Sequence, residues 1–252
     1  MFQDERHEQI MKELTHNQSV KIIDLCKKFD VTRETIRRDL QEMENRGLLK
    51  RVHGGAILSR TNVEPTYSKR SQINLKEKEV IAQRAAEHVE DGDSLYLDIG
   101  TTTQLMPKYL QGKKNLTVIT NGLLTAFELS KLPNIKVILS GGELRSGELS
   151  LSGPISINSL EALYIDKAFI GIGGITAQSG ITDFHIDESQ IRKTMIENAS
   201  EVFALGDFSK FGVRAFTKVC DFKDITVLIT DNKAPRDILS ELEKFKLQIE
   251  VL

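Results

Sequence analysis

Cysteine is scarce in this 252-residue chain, and the two present, Cys26 and Cys220, lie far apart and in no Cys-x-x-Cys pattern. That argues against a zinc site and fits two ordinary thiols in a reducing cytosol. Long apolar runs are also missing. No stretch of 18 apolar residues occurs, so no helix long enough to span a bilayer is expected and no membrane partner with it. The opening segment MFQDERHEQIMKEL is charged and lacks the apolar core of a signal peptide, which places the expected location in the cytoplasm. Internal repeats and low-complexity tracts are absent. Nothing in the residues calls for a cofactor or a metal. The net charge of −2 gives no global pointer to nucleic acid. What is present is ordinary for a globular protein: 40% hydrophobic and 28% charged residues, enough to bury a sizeable core. The charge is uneven, however. Residues 1–60 carry twelve Lys/Arg against ten Asp/Glu, while the remainder carries 22 against 26. A basic N-terminal segment on an acidic protein suits a local anion-binding head.

Residues 1–58 read as a small domain of their own. His7, Ile10, Met11 and Leu14 recur on one helix face. Ser19 is a candidate N-cap for a second helix, whose apolar side is Ile22, Ile23, Cys26 and Phe29. Thr32 is a candidate cap for a third, with Val31 and Ile36 spaced as a hydrophobic staple. In that third helix Ile36, Leu40 and Met43 form a narrow inward stripe, opposite Glu34, Arg38, Gln41 and Asn45, with Arg37 on the flank. Gly47 sits where a helix C′ residue would. Beyond it, LLKRVHGGAIL reads as two short strands around a Gly-Gly turn. Three helices and a basic hairpin make a winged helix-turn-helix. Thr32, Arg33, Glu34, Thr35, Arg37, Arg38 and Gln41 are then the candidates for base edges and phosphates of double-stranded DNA. Lys50, Arg51 and His53 of the hairpin are candidates for backbone or minor-groove contact.

Residues 59–74, polar and containing Pro65, read as a linker. Residues 75–252 then alternate. A helix over 76–90 precedes strands at 94–99, 116–120, 135–139, 167–172, 201–205, 226–230 and 248–252. Helices fall near 103–110, 123–131, 155–164, 188–199 and 235–245. This alternation predicts a doubly wound, mainly parallel α/β sheet. In such sheets ligands sit beyond the carboxyl ends of the strands, and small polar residues collect there. Gly100 lets backbone approach an anion, and Thr101, Thr102 and Thr103 offer amides and hydroxyls. Asp98, Asn121 and Asp183 can hold hydroxyl groups, Gly141, Gly142, Glu143 and Arg145 follow the third strand, and Lys210 supplies a counter-charge. The chemistry that fits is binding of a small phosphorylated polyol. Gly141-Gly142 and Gly173-Gly174 are equally explained by close packing.

The stretch VTRETIRRDLQEMENRGLLKRVHGGA resembles the DNA-binding domain of the DeoR family of bacterial repressors. LDIGTTT, VITNG, LSGGELR, DKAFIGIGGI, GITDF and GDFSKFG resemble that family's sensor motifs in the same order. The resemblance implies that 32–45 is the recognition helix, with Thr35, Arg37 and Arg38 at the DNA. It also implies a sensor similar in fold to ribose-5-phosphate isomerase that binds a sugar phosphate through the DIGTTT loop and Lys210. Met106-Pro107 departs from the family's more usual Leu-Ala; a proline in a first helical turn is tolerated.

Three readings remain open at this level. One is a repressor of a sugar-metabolism operon, bound to two half-sites as a homodimer or homotetramer. Another is a sugar-phosphate isomerase carrying a DNA-binding head, for which Asp98 and Asp183 are the available bases. The third is an oligomerisation module without a ligand. Activation rather than repression is equally compatible with the head. The Gly171–Ile175 loop holds no acid, which favours a sensor with no catalytic residues.

Overall fold

In the computed structural model, which describes residues 3–17, 19–45, 48–58 and 64–252, the chain divides between Glu64 and Pro65 into two units. The smaller contains α1 (Gln3–Asn17), β1 (Ser19–Lys21), α2 (Ile22–Phe29), α3 (Arg33–Asn45), β2 (Leu49–Val52) and β3 (Gly55–Leu58). Ile10, Leu14, Leu25, Phe29, Ile36, Leu40 and Met43 meet in one core, as the helical spacings require. Ser19 does not cap α2. It opens β1, which pairs with β3 (Ser19 opposite Ile57), and α2 starts from Lys21 with no side-chain cap. A three-residue strand beside a hairpin leaves almost no periodic signal, and serine before an apolar run mimics a cap. Gly47 and the Asn45 side chain lie outside the described residues.

The larger unit begins where a linker is expected. Residues 65–74 belong to it, and Tyr67–Gln72 forms α4. The helix is fixed by side-chain tethers, not by an apolar stripe, which is why its polar sequence reads as a connector. Then come α5 (Leu75–Glu87), β4 (Ser94–Leu97), β5 (Leu116–Thr120), α6 (Leu123–Leu129), β6 (Ile135–Leu139), β7 (Glu143–Arg145), β8 (Ser150–Ser152), α7 (Pro154–Leu160) and β9 (Ile165–Gly171). The chain ends with β10 (Gly174–Thr176), β11 (Gly180–Asp183), α8 (Ile186–Glu197), β12 (Ala199–Leu205), β13 (Thr217–Cys220), β14 (Val227–Thr230), α9 (Arg236–Glu243) and β15 (Gln248–Val251).

Seven strands make one sheet, ordered β15-β14-β12-β9-β4-β5-β6, and every neighbouring pair is parallel. Alternate residues serve opposite faces, as a strand's period of two dictates. Leu95, Leu97, Phe169, Phe203, Leu205, Val227 and Ile229 pack on α5 through Ile81, Ala82, Ala85 and Ala86. Tyr96, Ala168, Ile170, Val202, Ala204 and Leu228 pack on the other face with Leu160, Ile191, Met195 and Leu242 from α7, α8 and α9. The β7–β8 hairpin and the antiparallel sheet β10-β11-β13 were not expected from the sequence; their strands are three or four residues long. The segment Thr103–Tyr109 is a 3₁₀ helix containing Pro107 at its fifth position, so the proline is not in a first turn. Cys220, at the end of β13, is buried among apolar side chains, which pushes its thiol up to about 12.

Candidate DNA-reading face and effector site

Capping sets up the first site. The Thr35 amide donates to Thr32 Oγ1 at 3.1 Å, so α3 begins where the sequence places it. Ile36, Leu40 and Met43 are fully buried, while Thr32, Arg33, Glu34, Arg37 and Arg38 are exposed and Thr35 and Gln41 half-buried. The helix is held from behind by a feature the periodicity did not reveal. Buried Asp39 accepts two bonds from Arg6, at 2.5 and 2.9 Å, and lies 3.3 Å from His7 Nε2. Asp39 reads as one more polar residue in a charged helix; its partners are more than 30 positions away in sequence.

The hairpin exposes Lys50, Arg51 and His53. Glu44 of α3 takes both the Arg51 amide (3.0 Å) and its guanidinium (3.1 Å), which fixes the hairpin against the helix. Gly54 turns with φ +83°, and a Cβ on Gly55 would lie 1.9 Å from the Val20 carbonyl oxygen. The Gly-Gly pair therefore serves a turn and a close backbone approach.

In the larger unit the all-parallel sheet brings the expected loops to one edge, but it assigns several of their residues to one another. Asp98 and Asp183 both clamp Arg192, at 2.5 and 2.7 Å. All three are almost completely buried. Asp98 also accepts the Gly171 amide at 2.9 Å, and Asp183 the His185 amide at 3.1 Å. Burial works to lift the Asp98 carboxyl above its usual range. It works on Asp183 too, but there the Arg192 charge prevails and holds the carboxyl below. Arg192, desolvated but flanked by two carboxylates, has its pKa raised and stays charged. These two acids are thus structural ions, not the open hydroxyl acceptors anticipated. Arg192 lies mid-helix, 94 residues from Asp98, which hides that half of the pairing from a local reading, and nine residues from Asp183.

Asn121 is also buried, 2.8 Å from the Tyr96 hydroxyl and donating to the Leu151 carbonyl at 3.1 Å. Arg145 turns to buried Glu188 (2.8 Å), which Ser150 also reaches at 2.6 Å. A Cβ on Gly142 would sit 2.1 Å from Ser156 Oγ, so that glycine serves packing, and Glu143 is exposed. Gly100 has φ +144°, Thr103 Oγ1 donates to the Gly100 carbonyl at 3.2 Å, and Thr102 is buried. Thr101 lines a cleft of about 470 Å³ together with Tyr67, Ser71, Gln104 and Lys108.

Lys210 is half-buried and its side chain makes no polar contact among the described residues. Close to it electrostatically is Lys78 of α5, a buried lysine that sequence reasoning missed. Burial pushes the Lys78 ammonium down to about 8, with Asp207 opposing that drop and Lys210 and Arg70 adding to it. Asp207 is buried too. Its Oδ1 accepts from Asn74 (2.9 Å) and the Ser209 amide (3.0 Å), and its Oδ2 has no partner. A lysine within an otherwise ordinary amphipathic helix gives no local sign of burial; the one available hint is that Lys78 shares a helical face with Ile81, Ala82 and Ala85.

A winged helix-turn-helix followed by a parallel α/β unit with a polar strand-end edge is the build of a two-part transcription regulator. Residues 6–62 match the DeoR-like helix-turn-helix domain, and residues 73–232 match the DeoR C terminal sensor domain. The chain belongs to the DeoR family. Over its whole length it is 35% identical to the HTH-type transcriptional regulator GolR of Listeria innocua, covering 99% of that protein. It is 32% identical to the glycerol-3-phosphate regulon repressor of Escherichia coli K12, with both chains fully covered. Among solved structures, D-ribose-5-phosphate isomerase in complex with phospho-erythronic acid superposes with a TM-score of 0.41 at 15% identity, covering 54% of each chain.

Proposed function

We propose that this regulator represses a sugar-metabolism operon as a homodimer or homotetramer on double-stranded operator DNA. A small phosphorylated sugar or polyol bound to the larger unit adjusts its grip. The observation that carries the DNA half is the division of α3: a buried apolar stripe on one side, and Thr32, Arg33, Arg37 and Arg38 open to solvent on the other. Arginines so placed suit guanine edges, with threonines and the hairpin's Lys50 and His53 on phosphates. The sensing half rests on buried Lys78 and half-buried Lys210, whose charges oppose each other, next to the unpartnered oxygen of buried Asp207. A phosphate monoester supplies the opposite charge and a sugar hydroxyl the missing donor. The related glycerol-3-phosphate regulon repressor supports an effector of this class.

Occupied carboxylates favour sensing over catalysis. Isomerisation needs a carboxylate free to take a proton, and the two acids that the sequence offers for that task, Asp98 and Asp183, are committed to Arg192. A coupling of about 1–3 kcal/mol between effector and DNA changes operator affinity roughly 5- to 150-fold. The test is operator binding by fluorescence anisotropy across a panel of sugar phosphates and their unphosphorylated forms, with thermal unfolding read in parallel. A bound effector at about 100 times its Kd adds about 2.7 kcal/mol of stability. Lys210→Ala should require more of the phosphorylated compound for the same response. A compound that stabilises the protein yet leaves operator affinity unchanged would refute the allosteric reading.

A further inference from the structure

We propose that Lys78 is a second cation of the effector's phosphate subsite and that its ammonium ties that subsite to α4, so that a bound phosphate pins α4 to the sensor. This deepens the sensing role above and rests on it.

Five polar contacts among the described residues tie α4 and its junction with α5. Tyr67 donates to Gln104, in the turn that follows the Gly100–Thr103 loop. Arg70 pairs with Glu148, between β7 and β8, and its Nε donates to the Pro65 carbonyl at 2.9 Å. Asn74, left-handed at φ +54°, donates to Asp207 after β12. Lys78 donates to the Arg70 carbonyl near the end of α4 at 2.5 Å. The helix thus bridges loops that follow widely separated strands, and Tyr67 and Ser71 line the cleft shared with Thr101. None of these contacts is apolar packing, so α4 is held only as firmly as its polar partners allow.

Lys78 joins the subsite to α4. It lies one helical turn along α5 from Asn74, whose side chain bonds Asp207 in the loop that carries Lys210, and its own ammonium reaches back to α4. One N–H of its ammonium is spent on the Arg70 carbonyl. The charge faces Asp207 and Glu77 as attractive neighbours and Lys210 and Arg70 as repulsive ones. Glu77 is itself bonded to Lys233. A phosphate dianion between Lys78 and Lys210 offsets their repulsion and keeps Lys78 protonated, which preserves its charge-assisted bond to α4. Because α4 begins nine residues beyond the last residue of β3, pinning it fixes the sensor-side end of the chain that leads to the DNA-binding unit.

The experiment is hydrogen–deuterium exchange on the full chain at constant ionic strength, with inorganic phosphate as probe and chloride as control. The expected result is slower exchange at residues 101–105 and at 66–72 in the wild type, with the 66–72 response lost in Lys78→Met. Glu148→Gln, which leaves Lys78 in place, should exchange several-fold faster at 66–72 without phosphate while 101–105 still respond. Protection of 101–105 with none at 66–72 overturns the tie and leaves the phosphate site standing. A Lys78→Met protein that still slows at 66–72 overturns the role of Lys78. No protection at either segment removes the phosphate reading, and this inference with it.

Discussion

Replacing Lys78 with methionine removes a charge that the sensor holds out of water. In the folded chain its ammonium is pushed from an ordinary 10.5 down to about 8 by burial. At 1.36 kcal/mol per pKa unit, keeping it charged at neutral pH costs about 3 kcal/mol. Methionine has similar length and no charge, but it leaves the Arg70 carbonyl without its donor, a loss of about 1–3 kcal/mol. The expected net is a variant at least as stable as wild type at pH 7, by about 1 kcal/mol. The sign of the pH dependence follows from which state holds the proton. Between about pH 8 and 10.5 the unfolded chain keeps a proton on Lys78 that the folded chain has released. Wild-type stability therefore rises across that window relative to Lys78→Met, whose curve lacks the contribution. Urea unfolding of both proteins at matched ionic strength reads the difference directly. A difference that stays flat from pH 7 to 10.5 would refute the reasoning, and so would a variant weaker than wild type by more than about 2 kcal/mol at pH 7.

Three further substitutions probe the other features. Arg38→Ala should weaken specific operator binding by about 1–3 kcal/mol and relax base preference at one position, seen in anisotropy titrations against single-base variants; unaltered binding removes Arg38 from the reading face. Arg192→Leu leaves two buried carboxylates facing each other and should cost about 3–5 kcal/mol in urea unfolding. That defect should shrink on acidification, since neither carboxylate then remains charged without its partner; a loss independent of pH would contradict the ion-pair assignment. Gly55→Ala forces its Cβ onto the Val20 carbonyl and should destabilise the small unit by at least about 1–3 kcal/mol, read as an earlier thermal transition; normal stability would mean that β1 and β3 can part without penalty.

Legibility divides along physical lines. All seven strands of the main sheet were readable: six contain a short apolar run closed by glycine or small polar residues, and β15 shows the alternation of Gln248, Ile249, Glu250 and Val251. The helical stripe Ile36–Leu40–Met43 and the Thr32 cap were readable because both are local patterns. What escaped was set by partners distant in sequence. Asp98 and Asp183 stand at strand ends, where ligand acceptors belong, and only the folded chain reveals that Arg192 arrives to claim them. Tyr67–Gln72 carries no apolar period, so nothing in the segment announces a helix. Lys78 escaped for the opposite reason: charged residues are common on helices, and burial of one depends on what the surrounding loops do.

The third strand of the small unit has a consequence for how regulation reaches DNA. With β1 paired to β3 and the Ile22 amide bonded to the Gly54 carbonyl at 2.9 Å, the hairpin is stitched to the start of α2 at its turn. On its other side Glu44 ties Arg51 to α3. Hairpin and α3 are therefore held together as one piece, and on the proposed function an effector bound to the larger unit leaves their mutual arrangement as it is. If the proposed effector acts in this way, it changes how often that piece is offered to DNA and not what it reads, so it should scale affinity for every operator variant by a common factor.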